Sequence, residues 1–342
     1  MGGDHGVTPI VEGALAALHE SPNDSLRITL VGDAAQIRAA LDHHRPYRTA
    51  SADLLARRID VEHADDEVTM DDRAADAVRR QNTSIAVGLK LHHEGKVDGF
   101  ISAGNTGAVM ASALRNLSRL PGVMRPAIAS LFPNQKAVTV VLDVGANTEC
   151  KPQHLHQFAV MGTMFYQYVL KKERPRVGLL SIGEEPTKGT ESVQAAHKLL
   201  AAEPSIHFVG NIEGRDVLSG DVDVVVTDGY VGNILLKFAE SVAPLLEAKL
   251  RHQINTNIFS KIGVFMLKPF LRRTRNSLDY AEYGGAPLLG VDGVVVICHG
   301  KSGPKAIKNA IFEAERSARQ NVNLHIKEQF EKVQASEAAN AV

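Results

Sequence analysis

At 342 residues, 44% of them hydrophobic, the chain is long enough for one large domain or two smaller ones around a sizeable core. A formal net charge of −1 excludes a polycation built for nucleic acid, and no nucleic-acid partner is expected. The 2 cysteines, Cys150 and Cys298, make no disulfide framework and no Cys-x-x-Cys pair, no signal peptide opens the sequence, and no apolar run approaches the ~20 residues of a spanning helix; the expectation is a cytoplasmic protein.

The chain opens on a Gly-rich turn, Gly2-Gly3-Asp4-His5-Gly6, ahead of a helical period over 9–20. In a parallel α/β fold such a turn follows a strand. None precedes it here, so the first strand is missing from this chain or another segment takes its place. Downstream, Val- and Ile-rich runs closed by Gly or a small polar residue read as strands. They are Arg27–Gly32, Val97–Gly104, Ala137–Gly145, Arg176–Gly183, Ile206–Gly210, Val222–Gly229 and Gly293–Gly300. Helical periods over 73–93, 105–118, 151–171, 190–202, 230–252 and 304–319 fill the gaps. Alternation at this spacing predicts βαβ units, hence a mostly parallel sheet with helices on both faces. The chain reads as a single catalytic unit over 1–342, with a candidate crossing between two lobes at 120–135, where Pro121, Pro126 and Pro133 fall. Residues 320–342 are polar and helical.

Strand after strand ends in a polar loop followed by a helix, and in a parallel sheet such loops gather along one edge. In Ser102–Gly107, Asn105 or Thr106 caps the next helix or binds a ligand. Asp143–Thr148 places Asp143 and Asn147 at the same edge, with turn duty as the alternative. Ser181–Thr190 puts Lys188 where a helix begins, the wrong end for the helix dipole. That lysine wants an anion, either Glu184 or Glu185 or a bound phosphate. In Thr227–Asn233, Asp228 lies at the strand end, Asn233 a turn or so into the helix, and Gly229 and Gly232 permit close approach by a ligand. Cys298–Gly303 offers His299, Lys301 and Ser302. The recurrence, with helix N-termini as ready anion sites, points to an anionic, phosphate-bearing substrate.

Other chemistries lack their signatures. No His-Glu-x-x-His and no Cys/His cluster is present, so no metal is expected. Gly-x-Ser-x-Gly and Gly-x-Gly-x-x-Gly are both absent, which counts against a hydrolase triad and a nicotinamide cofactor. No cofactor is called for.

Between Glu247 and Asp279 there is no acidic residue, and over 249–275 basic and apolar residues interleave, among them Phe265, Leu267, Phe270, Arg272 and Arg273. This reads as an amphipathic helical insertion broken near Gly263 and Pro269. Its uses are an anionic membrane surface, an acidic protein partner, a dimer contact, or packing on its own protein with a solvated basic face.

Seven stretches closely resemble the bacterial phosphate acyltransferase (PlsX) family. They are Met1–Gly6, Ser102–Gly107, Asp143–Asn147, Ile182–Gly189, Thr227–Asn233, Glu282–Gly290 and His299-Gly300, in the expected order over nearly the whole chain. The resemblance implies an acyltransferase that converts long-chain acyl-(acyl carrier protein) and inorganic phosphate into acyl phosphate and free carrier protein, for phospholipid synthesis. It implies a homodimer with a fold like phosphotransacetylases and isopropylmalate dehydrogenases. It also implies a cytoplasmic protein at the membrane periphery, whose product a membrane-bound glycerol-3-phosphate acyltransferase consumes. By resemblance, Lys188 and Asp228 are the active-site pair, and Asn147, Asn233 and His299 bind substrate. Asn105 joins them as a binding candidate from its loop.

Overall fold

The computed structural model describes residues 3–21, 25–43, 57–254 and 284–340, together with Leu267, Phe270 and Glu282. Pro9 starts α1 (Thr8–Glu20), where its fixed φ suits the first turn, and Val11, Ala14, Leu15 and Leu18 form the buried face. Next come β1 (Ile28–Gly32), α2 (Ala34–His43) and β2 (Ile59–His63). The helical period read over 73–93 is two pieces, α3 (Ala74–Ala77) and α4 (Ser84–His93). The break falls at Thr83, whose hydroxyl caps α4 by accepting from the Ala86 N–H.

The chain continues through β3 (Phe100–Ser102), α5 (Thr106–Asn116), β4 (Ala127–Pro133), β5 (Val138–Leu142), α6 (Pro152–Val169), β6 (Arg176–Leu180) and α7 (Glu191–Ala202). After these come β7 (His207–Ile212), a short 3-10 turn, β8 (Val224–Val226), α8 (Gly229–Ile254), β9 (Ala286–Leu289), β10 (Val295–Ile297), α9 (Pro304–Arg319) and α10 (Val322–Asn340). Helix α6 buries most of its length because it lies under the sheet. Phe158, Met161 and Phe165 are fully buried there, and Gly162 lets the helix settle against Leu142 and Val224. Val322, Ile326 and Phe330 of α10 close the same core from outside.

The main sheet has 8 strands in the order β3-β10-β9-β4-β5-β8-β6-β7, and β1 pairs with β2 in a separate 2-stranded sheet. Strands β5, β8, β6 and β7 are parallel neighbours, as are β3 and β10, but β10–β9, β9–β4 and β4–β5 are antiparallel. The fold is therefore mixed α/β, and the expectation of one shared loop edge is corrected. Strands β3 and β10 run opposite to β5, β8 and β6. Residues 120–135 include β4, which lies between β9 and β5 in the sheet. Its prolines sit just before and at the end of the strand, where a missing N–H costs no central ladder bond.

The insertion read over 249–275 lies outside the described residues except for the last residues of α8, Leu267 and Phe270. Phe265, Arg272 and Arg273 are among those not described. Leu267 and Phe270 are 51% and 64% exposed. No described helix is long and apolar enough to cross a membrane.

Candidate active site

Strand β8 lies between β5 and β6, so the loops that follow these three parallel strands are neighbours. They are 143–151, 181–190 and 227–233. Asp143 organises the first. It is fully buried, and its Oδ1 accepts N–H groups from Ile128 (3.0 Å), Gly145 (3.2 Å) and Ala146 (3.0 Å). Its Oδ2 accepts the Asn147 N–H at 2.7 Å and the Asn147 side-chain amide at 3.0 Å. Burial raises the pKa of this carboxyl, and the donors from Ala146, Asn147 and Ile128 oppose that. Asp143 thus holds the loop and is not offered at the edge.

Asn147 is committed in the same way. Its Nδ2 donates to the Pro126 carbonyl (2.7 Å) as well as to Asp143, and its own carbonyl accepts the Gly229 N–H at 2.7 Å. Both amide protons are used, so the Asn147 side chain has no donor left for an oxyanion.

Helix α8 begins hard against this loop. A Cβ on Gly229 would stand 2.8 Å from Asp143 Oδ2 and 2.7 Å from the Asn147 carbonyl oxygen. The body that approaches Gly229 and Gly232 is this loop, where the sequence suggested a ligand. Asp228 caps α8, its Oδ1 accepting the Val231 N–H at 2.8 Å. Of the first four helical N–H groups, only that of Tyr230 lacks a partner among the described residues. Asn233 is exposed above Gly145.

Lys188 is exposed two residues before Thr190, which caps α7 by accepting the Val193 N–H. Glu184 is taken by Arg215 at 3.1 Å, and among the described residues no carboxylate pairs with Lys188. Glu185 Oε2 and the Lys188 side chain both lie beside Gly183, with no ion pair between them within 4.0 Å. In the same loop Ser181 Oγ is buried with no hydrogen-bond partner among the described residues. Arg125, beside the Asn147 loop, also has no ion-pair partner among them. Its charge, with that of Lys151, adds to burial in lowering the pKa of His154.

A second group of residues follows β3 and β10. The Lys301 N–H donates to His299 Nδ1 at 3.1 Å, and His299 Nε2 lies 3.4 Å from the Lys237 ammonium. Lys237 also pairs with Glu240 at 2.9 Å. Ser302 Oγ, 3% exposed, has no partner among the described residues. The Asp4 N–H donates to the Gly300 carbonyl at 2.9 Å, which brings the first turn of the chain here. Asn105 is spent on structure. Its Oδ1 caps α5 through the Ala108 N–H, and its Nδ2 donates to the carbonyls of Met70 (3.1 Å) and Asp72 (3.0 Å).

Helix α8 joins the two groups. Lys237 is four residues beyond Asn233, about 6 Å along the axis, and reaches His299. The helix that starts at Asp228 and carries Asn233 is thereby linked to His299 through Lys237, and the Lys188 loop follows β6, the strand beside β8. Lys237, Arg125 and Ser181 were not singled out as site residues from sequence. The one available signal was the i, i+4 spacing of Asn233 and Lys237, which puts them on one helix face.

The cysteines are poor nucleophiles. Burial pushes the Cys298 thiol up to about 12, and burial with the charges of Asp143 and Asp228 does the same to Cys150. Among the described residues no group of three or more His, Cys, Asp and Glu side chains could hold a metal.

A family model described as "Fatty acid synthesis protein" matches residues 1–325. A phosphate acyltransferase of Syntrophotalea carbinolica is 45% identical over 324 residues, 94% of this chain and 90% of the relative. One from Pelotomaculum thermopropionicum is 45% identical over 339 residues, 99% of this chain and 95% of the relative. Among solved structures, the EutD phosphotransacetylase from Staphylococcus aureus matches with a TM-score of 0.54 at 17% identity, covering 90% of this chain and 99% of its own. A phosphotransacetylase from Streptococcus pyogenes matches with a TM-score of 0.53 at 15% identity, covering 90% and 98%. At those identities the structural likeness speaks for the fold. The agreement of family model and relatives over almost the full length means that the chain belongs to the phosphate acyltransferase (PlsX) family.

Proposed function

We propose that this protein is an acyltransferase that moves a long-chain acyl group from acyl carrier protein to inorganic phosphate, yielding acyl phosphate and free carrier protein. The observation that carries the reading is the set of cations without carboxylate partners around the loops after β5, β6 and β8, Lys188 and Arg125, beside two cysteines held as thiols. Hydrogen phosphate is itself nucleophilic near pH 7, since its second pKa is about 6–7, so no acyl-enzyme is needed.

In this account Lys188, Ser181 and the N-terminus of α7 hold phosphate. The free Asp228 carboxylate oxygen accepts the phosphate's remaining proton and aims an oxygen at the thioester. A phosphate oxygen bonds to the carbonyl carbon, the C–S bond then breaks, and the phosphate's proton ends on the departing thiolate. With Asn147 committed, the oxyanion is met by Asn233 or the Tyr230 N–H. His299 and Lys237 bind charge on the far side of the region.

Finer features belong to the same proposal. Ile234, Phe238, Leu245 and Leu246 are exposed along α8, with Leu267 and Phe270 beyond it. An apolar face of that kind suits a homodimer contact or an anionic membrane surface, and it favours a cytoplasmic protein peripherally bound to the membrane. A membrane-bound glycerol-3-phosphate acyltransferase would consume the product there. Turnover with carrier-protein and coenzyme A thioesters of the same acyl chain tests the donor, and a clear preference for coenzyme A would reject the carrier-protein reading. Vesicle flotation tests the surface. Leu267→Glu with Phe270→Glu should abolish flotation on anionic vesicles and spare soluble turnover, and unchanged flotation would assign those residues elsewhere.

A further inference from the structure

Strand β7 carries a bulge beside the Lys188 loop. Against β6 its register pairs Val177 with Phe208 but Gly178 with Gly210, so Val209 is passed over. Gly210 follows at φ +100°. A Cβ there would meet nothing within 4 Å, so the backbone angle, and not space, calls for glycine. Such a bulge reverses the face that later side chains take. In a regular strand Phe208 and Ile212 would share one face. Here Phe208 packs beside Phe165, Ala196 and Leu200, whereas Ile212 packs in the opposite core with Val217 and Val225. The change of phase brings Asn211 to the same side as Phe208, facing α7. His197 of α7 meets both. Its ring stands edge-on to Phe208, with centroids 5.1 Å apart, and its Nδ1 lies 3.0 Å from Asn211 Oδ1.

Asn211 is 5% exposed, and both ends of its amide are engaged. Its Nδ2 donates to the Glu185 carbonyl at 2.8 Å. A carbonyl only accepts, so Nδ2 must face Glu185, which leaves Oδ1 to accept from His197. The same Glu185 carbonyl accepts the Lys188 N–H at 3.0 Å and closes a turn with Pro186 at its second position. One residue on, the Ile212 carbonyl accepts the Ser181 N–H at 2.8 Å. Strand β7 thus grips the loop at its start and at the turn that ends on Lys188. Beyond the lysine, Gln194 Nε2 donates to the Gly189 carbonyl at 3.1 Å. The lysine is exposed, yet its backbone is pinned on both sides. An apolar side chain at 211 would fill the same space, and what the buried amide adds is a fixed donor.

We propose that Asn211 is a positioning residue for Lys188. Through the Glu185 carbonyl it fixes the turn and so aims the ammonium at phosphate, while His197 holds the Asn211 amide in place. The proposal rests on Lys188 as the phosphate-binding cation. Asn211 lies buried behind the loop and acts only through it.

The test uses two variants of the full chain. Asn211→Asp keeps size, shape and the acceptor for His197 but sets an oxygen against the Glu185 carbonyl. Asn211→Ala removes the donor outright. Should neither give a cooperative melt, His197→Leu, at a half-buried helix position, takes their place. Amide exchange at Lys188 and initial rates against phosphate are read, alone and together with Lys188→Ala. Exchange at Lys188 should quicken, and KM for phosphate rise, each by about 10-fold. The amides of α7 and KM for the acyl carrier protein should stay as they were. In the Lys188→Ala background the second change should bring no further rise. Unchanged exchange at Lys188, or a rise that adds in full to that of Lys188→Ala, overturns the proposal. A large effect of Lys188→Ala beside an unchanged phosphate KM in the Asn211 variants rejects the positioning role and leaves the phosphate reading standing. An unchanged phosphate KM in Lys188→Ala itself rejects that reading, and the positioning role with it.

Discussion

A Cβ built on Gly232 would lie 1.8 Å from the carbonyl oxygen of Asp143, so α8 and the loop after β5 touch backbone to backbone. No side chain fits that contact, and a methyl group there must push the helix start away from the loop. Gly232→Ala should lower Tm and abolish most turnover, since overpacking costs about 1–3 kcal/mol or more and Asp228 moves with the helix. Gly214→Ala, at a position with nothing within 4 Å, is the control and should change neither. Normal turnover in Gly232→Ala would detach the helix start from catalysis.

Lys188 has no carboxylate partner among the described residues and stands at the loop before α7. A charge-assisted hydrogen bond to phosphate contributes about 1.5–3 kcal/mol. Removing it in Lys188→Ala should lower kcat/KM by roughly 10- to 200-fold with Tm unchanged. A folded variant with near-normal kcat/KM would move the phosphate site elsewhere.

Cys150→Ala and Cys298→Ala should keep substantial turnover. Neither thiol ionises near neutral pH, and neither is needed if phosphate attacks directly. Complete loss of activity in folded Cys298→Ala, with a trapped acyl-enzyme on a gel of the parent protein, would replace direct attack by a covalent route.

Two glutamates, Glu203 half-buried and Glu313 buried, give stability opposite pH dependences. His156 donates to Glu203 at 3.0 Å and, with Ser205, holds its carboxyl down to about 2. That stability is present above the unfolded pKa and fades as pH falls from about 4.5 to 2, on the order of 3 kcal/mol in all. Glu313 is pushed up to about 7 by burial, so its contribution is full below the ordinary glutamate value and is lost as pH rises through 7. Thermal melts should show Glu203→Gln destabilised at pH 7 and closer to the parent at pH 3. Glu313→Gln should gain more at pH 8 than at pH 5. The reverse order for Glu313→Gln would mean that its carboxylate is the favoured form.

Much of the fold was legible because strand ends carry chemistry of their own. Runs such as Val222–Gly229 are too apolar for anything but a covered strand, and Gly or Asp marks where each stops. The antiparallel middle of the sheet was not legible. Strand β4 is bracketed by Pro126 and Pro133, which read as an interruption, and β9 is only 4 residues long with Pro287 inside it. Strand direction is also absent from local pattern, which is why five loops were expected on one edge. In the site, Asp228 begins the helix on which Asn233 and Lys237 lie, and only Lys237 reaches His299. Asp143, Asn147 and Asn105 look the same in sequence as ligand-binding residues, and only their hydrogen bonds reveal that they are spent on loops and caps. Lys237 was hidden for the opposite reason, since a lysine on an amphipathic helix reads as a solvated face.

The most direct measurement is phosphorus NMR of the purified protein with palmitoyl-(acyl carrier protein), run with and without inorganic phosphate while free thiol is followed in parallel. The account predicts an acyl phosphate resonance that grows one for one with released carrier-protein thiol, and no thiol release without phosphate. Thiol release at the same rate in the absence of phosphate would contradict it and identify a thioesterase.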